Sequence, residues 1–294
     1  MTFSDQQNGY IAIIEPALQA YLKEREIPGL LQESMSYSVF AGGKRLRPCL
    51  TLAACEMLGG MVEDALPFAC AMEFIHTYSL IHDDLPGMDN DDYRRGRPTS
   101  HKVFGEGQAI LAGDGLLSYA VEIMLETAVR SGKLGHLHAA AAIACGAGVR
   151  GMVAGQCLDL QQEGKRVPDE TMLHKIHRGK TAAMLVAAVL AGAFCADAQE
   201  CELAALREFG EQYGLLFQIT DDILDVTGNA EDLGKSTGKD EREGKLTFPF
   251  VYGLPGAQAR ADMAAQAAIA ALRPFGENAM YFHQLIEYTL TRRR

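Results

Sequence analysis

The chain has 294 residues, 48% of them hydrophobic, enough to bury a large core in one big domain or two small ones. A formal charge of -11, from 38 acidic and 27 basic residues, argues against nucleic acid or an anionic membrane as the main partner and tolerates bound cations well. Seven cysteines without a CxxC pair read as buried, reduced thiols, and the opening MTFSDQQNGY lacks the basic and apolar regions of a secretory signal, so a cytoplasmic location is expected.

Apolar residues recur at three- and four-residue spacing along almost the whole chain, which predicts an all-α fold. The expected helices run over 7–24, 29–40, 44–58, 62–85, 105–130, 134–163, 168–196, 199–227, 246–253 and 257–290, the last broken near Pro274. The longest apolar run, Ala182 to Ala196, is shorter than the roughly 20 residues of a membrane span and follows Arg178 and Lys180, so it reads as a buried core helix. Neither a linker nor a repeat is visible, and residues 1–294 read as a single domain. Two polar interruptions, 86–98 and 228–244, each follow an aspartate cluster at the end of a long apolar helix, which suggests two loops around one mouth.

In FQITDDILDV, Asp221 and Asp225 lie within roughly 40° of each other on a helix, with Gln218 one turn earlier. Asp222 stands between them in sequence. In HDDLPGMDNDD, whose cluster is Asp83, Asp84 and Asp89, an unbroken helix would set Asp83 and Asp89 roughly 120° apart, but Pro86 and Gly87 break it and let Asp89 return toward Asp83. His76, seven residues upstream, shares the face of Asp83. Oxygen-only ligand sets of this kind suit Mg²⁺, which is held by one or two carboxylates and keeps positions for water and phosphate. Two such sets imply a polyphosphate bridging between them.

Cations surround both clusters. GGKRLRP places Lys44 and Arg47 three apart on one face of a helix entered through Gly42-Gly43, whose amide end favours an anion. Arg94 and Arg95 follow the first cluster, and Lys235 and Lys245 follow the second. The stretch Gly228 to Ser236 is one residue too long for a P-loop and no strand precedes it, and Asp89 to Asp92 lacks the glycine and closing glutamate of a calcium loop.

Together, GGKRLRP, IHTYSLIHDDLPGMDNDDYRRGRPT, LAGD, GQCLDL, HRGKT, FQITDDILD and GKSTGKDEREGKLTFP resemble the trans-prenyltransferase family of isoprenyl diphosphate synthases, nearest to its bacterial farnesyl diphosphate branch. The resemblance runs from about Met35 to Tyr252. It implies an antiparallel helical bundle around a deep central cavity, a homodimer, and two or three Mg²⁺ ions bound through Asp83, Asp84, Asp89, Asp221, Asp222 and Asp225. Arg94, Lys180 and Lys235 would bind the allylic diphosphate, and Lys44, Arg47, His76 and Arg95 isopentenyl diphosphate. Thr181 and Gln218 would stabilise the allylic cation, with Lys245 a further basic position. The implied reaction is ionisation, condensation and elimination, joining isopentenyl diphosphate to dimethylallyl or geranyl diphosphate.

A terpene cyclase needs no second diphosphate site, so Lys44, Arg47 and Arg95 argue against one, and complete aspartate clusters argue against a non-catalytic partner subunit. Tyr78, five residues before Asp83, matches the aromatic with which short-chain members close the cavity floor, which implies a C15 product over the C20 of a geranylgeranyl synthase. Ser79 lies nearer the face of Asp83 than Tyr78 does, so Tyr78 needs a neighbouring helix to act. The basic end Arg292-Arg293-Arg294 is expected either to fold over bound diphosphates or to remain a solvated tail.

Overall fold

The computed structural model describes residues 2–23, 26–165, 167–228 and 244–292. In chain order they form α1 (Phe3–Lys23), α2 (Gly29–Val39), α3 (Leu46–Met57), α4 (Val62–Asp83), a two-residue hairpin β1 (Tyr93–Arg94) and β2 (Arg97–Pro98), and α5 (Ser100–Phe104). Then follow α6 (Glu106–Ser131), α7 (Leu134–Ala147), α8 (Met152–Gln162), α9 (Glu170–His177), a π-helical turn (Arg178–Ala182), α10 (Ala183–Cys195) and α11 (Glu200–Thr227). The chain closes with α12 (Phe248–Ala271), a 3₁₀ segment (Arg273–Ala279) and α13 (Met280–Thr291). Apart from the hairpin, the elements among the described residues are all helices.

At the centre, α10 is buried along most of its length and is wrapped by α3, α4, α7 and α11. Its alanines and Gly192 let the neighbours approach closely, and α4, apolar from Ala65 to Ile81, completes the core. The two helices that deliver the aspartate clusters have defined starts. Glu63 and Asp64 sit in the first turn of α4, where the helix dipole favours negative charge. Gln199 and Glu202 form a capping box on α11, with Glu202 Oε2 accepting from Gln199 N at 2.7 Å.

Three sequence expectations change. The helix expected over 134–163 breaks into α7 and α8 at Gly148–Gly151, where the backbone leaves helical geometry. The helix expected from residue 44 begins at Leu46, because Arg45 takes a left-handed conformation (φ 48°) at its N-cap. Lys44 therefore stands outside α3 and does not share a helical face with Arg47. Of the seven cysteines, Cys145, Cys157 and Cys201 are exposed, not buried.

The apolar run at 182–196 is continuous with α9 through the π turn, so Glu170–Cys195 is 26 residues long. It joins Glu106–Ser131 and Leu134–Gln162 as segments with the length and apolar composition to cross a membrane, although 67% of its most apolar window is buried against the rest of the protein.

The π turn exists at a point of backbone-to-backbone contact. A Cβ on Gly155 of α8 would fall on the Lys180 backbone nitrogen, and one on Gly179 would lie 2.9 Å from the Gly155 Cα. Only glycine at both positions lets α8 touch this turn. Gly155→Ala is therefore expected to force the segments apart and destabilise the protein by about 1–3 kcal/mol, the usual cost of overpacking. Gly9→Ala, on an α1 position with open space around it, should instead stabilise by about 0.5–1 kcal/mol. Chemical denaturation of the two variants checks the opposite signs.

Candidate active site

α4 ends at Asp83, and the following turn returns as the sequence predicts: Asp89 N donates to Asp83 O at 2.9 Å, and Asp91 N to Asp84 O at 3.2 Å. Asp83 and Asp89 stay partly open. Asp84 does not. It is 3% exposed and accepts Arg94 Nε on both oxygens at 2.9 Å and Arg94 Nη2 on Oδ1 at 2.6 Å.

On α11, Asp221 and Asp225 are likewise partly open, while Asp222 is 3% exposed. Asp222 Oδ1 accepts from Gln218 Nε2 at 2.8 Å, and Oδ2 accepts from the Phe248 backbone N–H at 2.9 Å, which fixes the start of α12. Gln218 Oε1 in turn accepts from the Thr181 hydroxyl at 2.7 Å. The six aspartates expected to face metal thus divide into four open ones and two, Asp84 and Asp222, whose oxygens are committed to Arg94 and to the frame.

Cations link the neighbourhoods of the two clusters. Lys245, from the segment after the second cluster, places Nζ 3.4 Å from Asp89 Oδ1 across 156 residues of chain. Arg47 lies close enough to feel the charge of Asp221 and holds Nη1 3.4 Å from His76 Nε2. Its Nε is buried with no hydrogen-bond partner among the described residues. Arg95 donates from Nη1 to Gly42 O and packs on Gly43, where a Cβ would lie 2.7 Å from the guanidinium carbon. Gly43 (φ 134°) must remain glycine on both counts. Lys44 is exposed, with Nζ 5.9 Å above the Tyr288 ring. Lys235, Arg293 and Arg294 lie outside the described residues.

A family model described as Polyprenyl synthetase matches residues 28–279. The chain belongs to the polyprenyl synthetase family. It is 48% identical over 261 residues to a farnesyl diphosphate synthase of Geobacillus stearothermophilus, covering 88% of each chain. It is also 42% identical over 280 residues to a geranylgeranyl diphosphate synthase of Cyanophora paradoxa, covering 95% of this chain and 93% of the relative. The crystal structure of an FPP/GFPP synthase from Zymomonas mobilis superposes with a TM-score of 0.86 at 35% identity, covering 98% of this chain and 99% of that one. The protein is accordingly a prenyltransferase of isoprenoid biosynthesis with the all-helical fold of such synthases.

Within this prenyltransferase, the sequence reading missed how the cations are held. Lys180, in the π turn, donates to Asp159 Oδ2 at 2.6 Å, and Asp159 lies one helical turn beyond Gly155 in GQCLDL. Arg45 is buried between Glu15 (2.7 Å) and Glu73 (2.6 Å) and donates to Val39 O, which explains its strained backbone. A carboxylate one turn past a close-approach glycine was a legible signal for Asp159. Nothing in the sequence separates Arg45 from its basic neighbours. A groove between α7, α10 and α11, of about 1090 Å³, contains none of the expected site residues.

Charge and burial set the protonation states. Burial, then Arg47 and Arg95, push His76 well below the usual imidazole range, so it is neutral. Burial raises Asp83 to about 6 despite the opposing pull of Lys180, and Asp89 raises it further. Because this folded value exceeds the unfolded 3.8, the metal-free fold is most favoured with Asp83 protonated, and it loses stability as pH rises from 3.8 to 6. In metal-free buffer, Asp83→Asn is expected to melt higher than wild type above pH 6, and the gap should vanish below pH 4. A wild-type advantage at pH 7 would contradict this.

Proposed function

We propose that the chain condenses isopentenyl diphosphate with dimethylallyl or geranyl diphosphate to give (2E,6E)-farnesyl diphosphate and diphosphate, as one polyprenyl synthase domain working in the cytoplasm. The observation that carries this reading is the Lys245–Asp89 contact, which brings the segment that follows the second cluster onto the first. Two carboxylate sets facing a shared opening, ringed by arginine and lysine, are suited to a diphosphate that brings its own counter-cations.

The donor set suits Mg²⁺: the open groups of the two clusters, Asp83, Asp89, Asp221 and Asp225, are carboxylates, the hard oxygen ligands this ion takes. Asp83, Asp89, Asp221 and Asp225 would hold the ions, which supply Lewis-acid stabilisation of the departing diphosphate. Lys180, fixed by Asp159, and Arg94, fixed by Asp84, present charge to the allylic diphosphate, with Lys235 and Lys245 as further cations. Arg47, with its unpartnered Nε, neutral His76, Arg95 and Lys44 receive isopentenyl diphosphate. The Thr181 and Gln218 oxygens stabilise positive charge on the allylic carbons, held in place through Asp222. Packed helices keep water from the cation.

An apolar stripe on α6, Val121, Leu125 and Val129, continues onto Leu134 and Leu137 of α7, all exposed, and supports a homodimer over a membrane role for these helices. A second copy would cover it.

The C15 product rests on Tyr78, which is 8% exposed and sets its ring edge-on to His82 at 5.5 Å. His82 lies against Gly113 of α6, where a Cβ would overlap its ring. The helix at Gly113 thus braces the tyrosine, while the smaller Ser79 turns its hydroxyl to His76 O at 2.9 Å. Wild type is expected to stop at C15, and Tyr78→Ala to add C20 or longer products, read by chromatography of the dephosphorylated prenols. A C20 product from wild type would favour a geranylgeranyl synthase.

Asp83→Ala and Asp221→Ala should each abolish turnover without loss of helical structure, because neither carboxylate packs in the core. Circular dichroism beside a Mg²⁺-dependent assay checks this. Near-normal turnover in either variant would end the two-cluster reading.

A further inference from the structure

α13 is held to α11 by the paired hydroxyls of Tyr213 and Thr289, 3.1 Å apart. Past its end, Arg292 turns back to α11. Nη2 donates to Phe217 O at 3.1 Å and to Asp221 Oδ1 at 2.6 Å, and the guanidinium carbon lies 4.5 Å from the centre of the Phe217 ring. The arginine side chain is 5% exposed although its partner Asp221 is 43% exposed, and its Nε is buried without a hydrogen-bond partner among the described residues. An arginine at a helix end ordinarily keeps its head in water. This one has exchanged hydration for the leading carboxylate of the second cluster.

That carboxylate is also the proposed ligand of a hard cation. A Mg²⁺ ion sits about 2.0–2.1 Å from its oxygens. A metal on Oδ1 and a guanidinium nitrogen on the same atom would therefore be like charges in close contact, poorly screened in a partly buried site. Even with the ion on Oδ2, the two cations would share one carboxylate at close range, so they compete for its charge. We infer that Arg292 is a tethered counter-ion that occupies Asp221 in the metal-free enzyme, so that a divalent cation must displace it, and filling the second cluster frees the end of α13 from α11. By linkage the coupling is reciprocal: whatever holds Arg292 on Asp221 weakens metal binding there, and metal weakens the hold on Arg292.

This inference rests on the metal reading of Asp221, and the experiment separates the two. Mn²⁺ is titrated into the full-length, substrate-free protein, with the free-ion electron paramagnetic resonance signal and the Mn²⁺-induced rise in melting temperature as readouts. Arg292→Met keeps an apolar stem over Phe217 and removes the charge, and it is expected to bind Mn²⁺ about tenfold more tightly than wild type, the scale of one charge-assisted contact. Arg292→Lys should stay near wild type. Asp221→Asn should weaken binding and erase the difference between the Arg292→Met and wild-type backgrounds. Equal or weaker binding by Arg292→Met, with Asp221→Asn still weakening wild type, overturns the counter-ion role alone. If Asp221→Asn changes nothing in either background, or if no protein binds Mn²⁺, the metal reading falls with it. Should Arg292→Met melt abnormally, Arg292→Gln, which keeps a donor for Phe217 O, replaces it under the same criteria.

Discussion

Carboxylates gathered at the mouth of an apolar bundle repel one another, and that repulsion governs the arrangement of everything around them. Two unit charges about 4 Å apart interact by about 4 kcal/mol at the effective dielectric near a protein surface, a large share of the roughly 5–15 kcal/mol that holds a typical domain folded. The chain answers with a cation for four of these acids: Arg94 on Asp84, Lys245 on Asp89, Lys180 on Asp159 and Arg292 on Asp221. Asp83 is raised to about 6, first by burial and then by the neighbouring Asp89, with Lys180 and Arg94 pulling the other way. On the proposed function, these lysine and arginine partners are the ones that metal and diphosphate would take over.

These cations come from distant parts of the chain, so the fold must deliver them, and it does so through close backbone approaches. Gly155 and Gly179 bring α8 against the π turn, which sets Lys180 opposite Asp159. Gly43 gives the Arg95 guanidinium a flat surface beside the loop that leads to Arg47. Behind that loop, Arg45 is locked between two glutamates and a carbonyl oxygen, so the strained turn ahead of α3 is fixed before any ligand arrives. Side-chain function here is set by backbone contact, which is why the motif glycines and the motif cations occur together.

Much of this was legible in the sequence. Apolar periodicity gave the helices of the bundle, and Pro86-Gly87 gave the return of Asp89 toward Asp83, whereas nearly all of the polar stretch expected to form the second loop of the mouth, 229–243, lies outside the described residues. The break at Gly148–Gly151 was hidden because apolar spacing continues across it, although its glycines were a signal. Left-handed Arg45 and the π turn follow from tertiary contacts that no local preference encodes. The separation of Asp84 and Asp222 from their neighbours is of the same kind. Adjacent aspartates have equal claims in sequence, and only the positions of Arg94 and of the Phe248 N–H decide which is bound to the frame.

Asp222 also connects the second cluster to the group proposed to stabilise the allylic cation. One oxygen takes the Gln218 amide, which leaves Gln218 Oε1 free to accept from Thr181, while the other takes the first backbone N–H of α12. With the amide nitrogen committed to Asp222, the amide cannot flip without losing two hydrogen bonds, so the oxygen end of Gln218 is held toward Thr181. Oxygen dipoles that are oriented before the reaction need no rearrangement as positive charge develops, which is where such groups lower a barrier most. A site of the proposed kind has no need of a Ser-His-Asp or Cys-His constellation: its work would be to hold dipoles and charges still around an allylic substrate whose diphosphate is itself the leaving group.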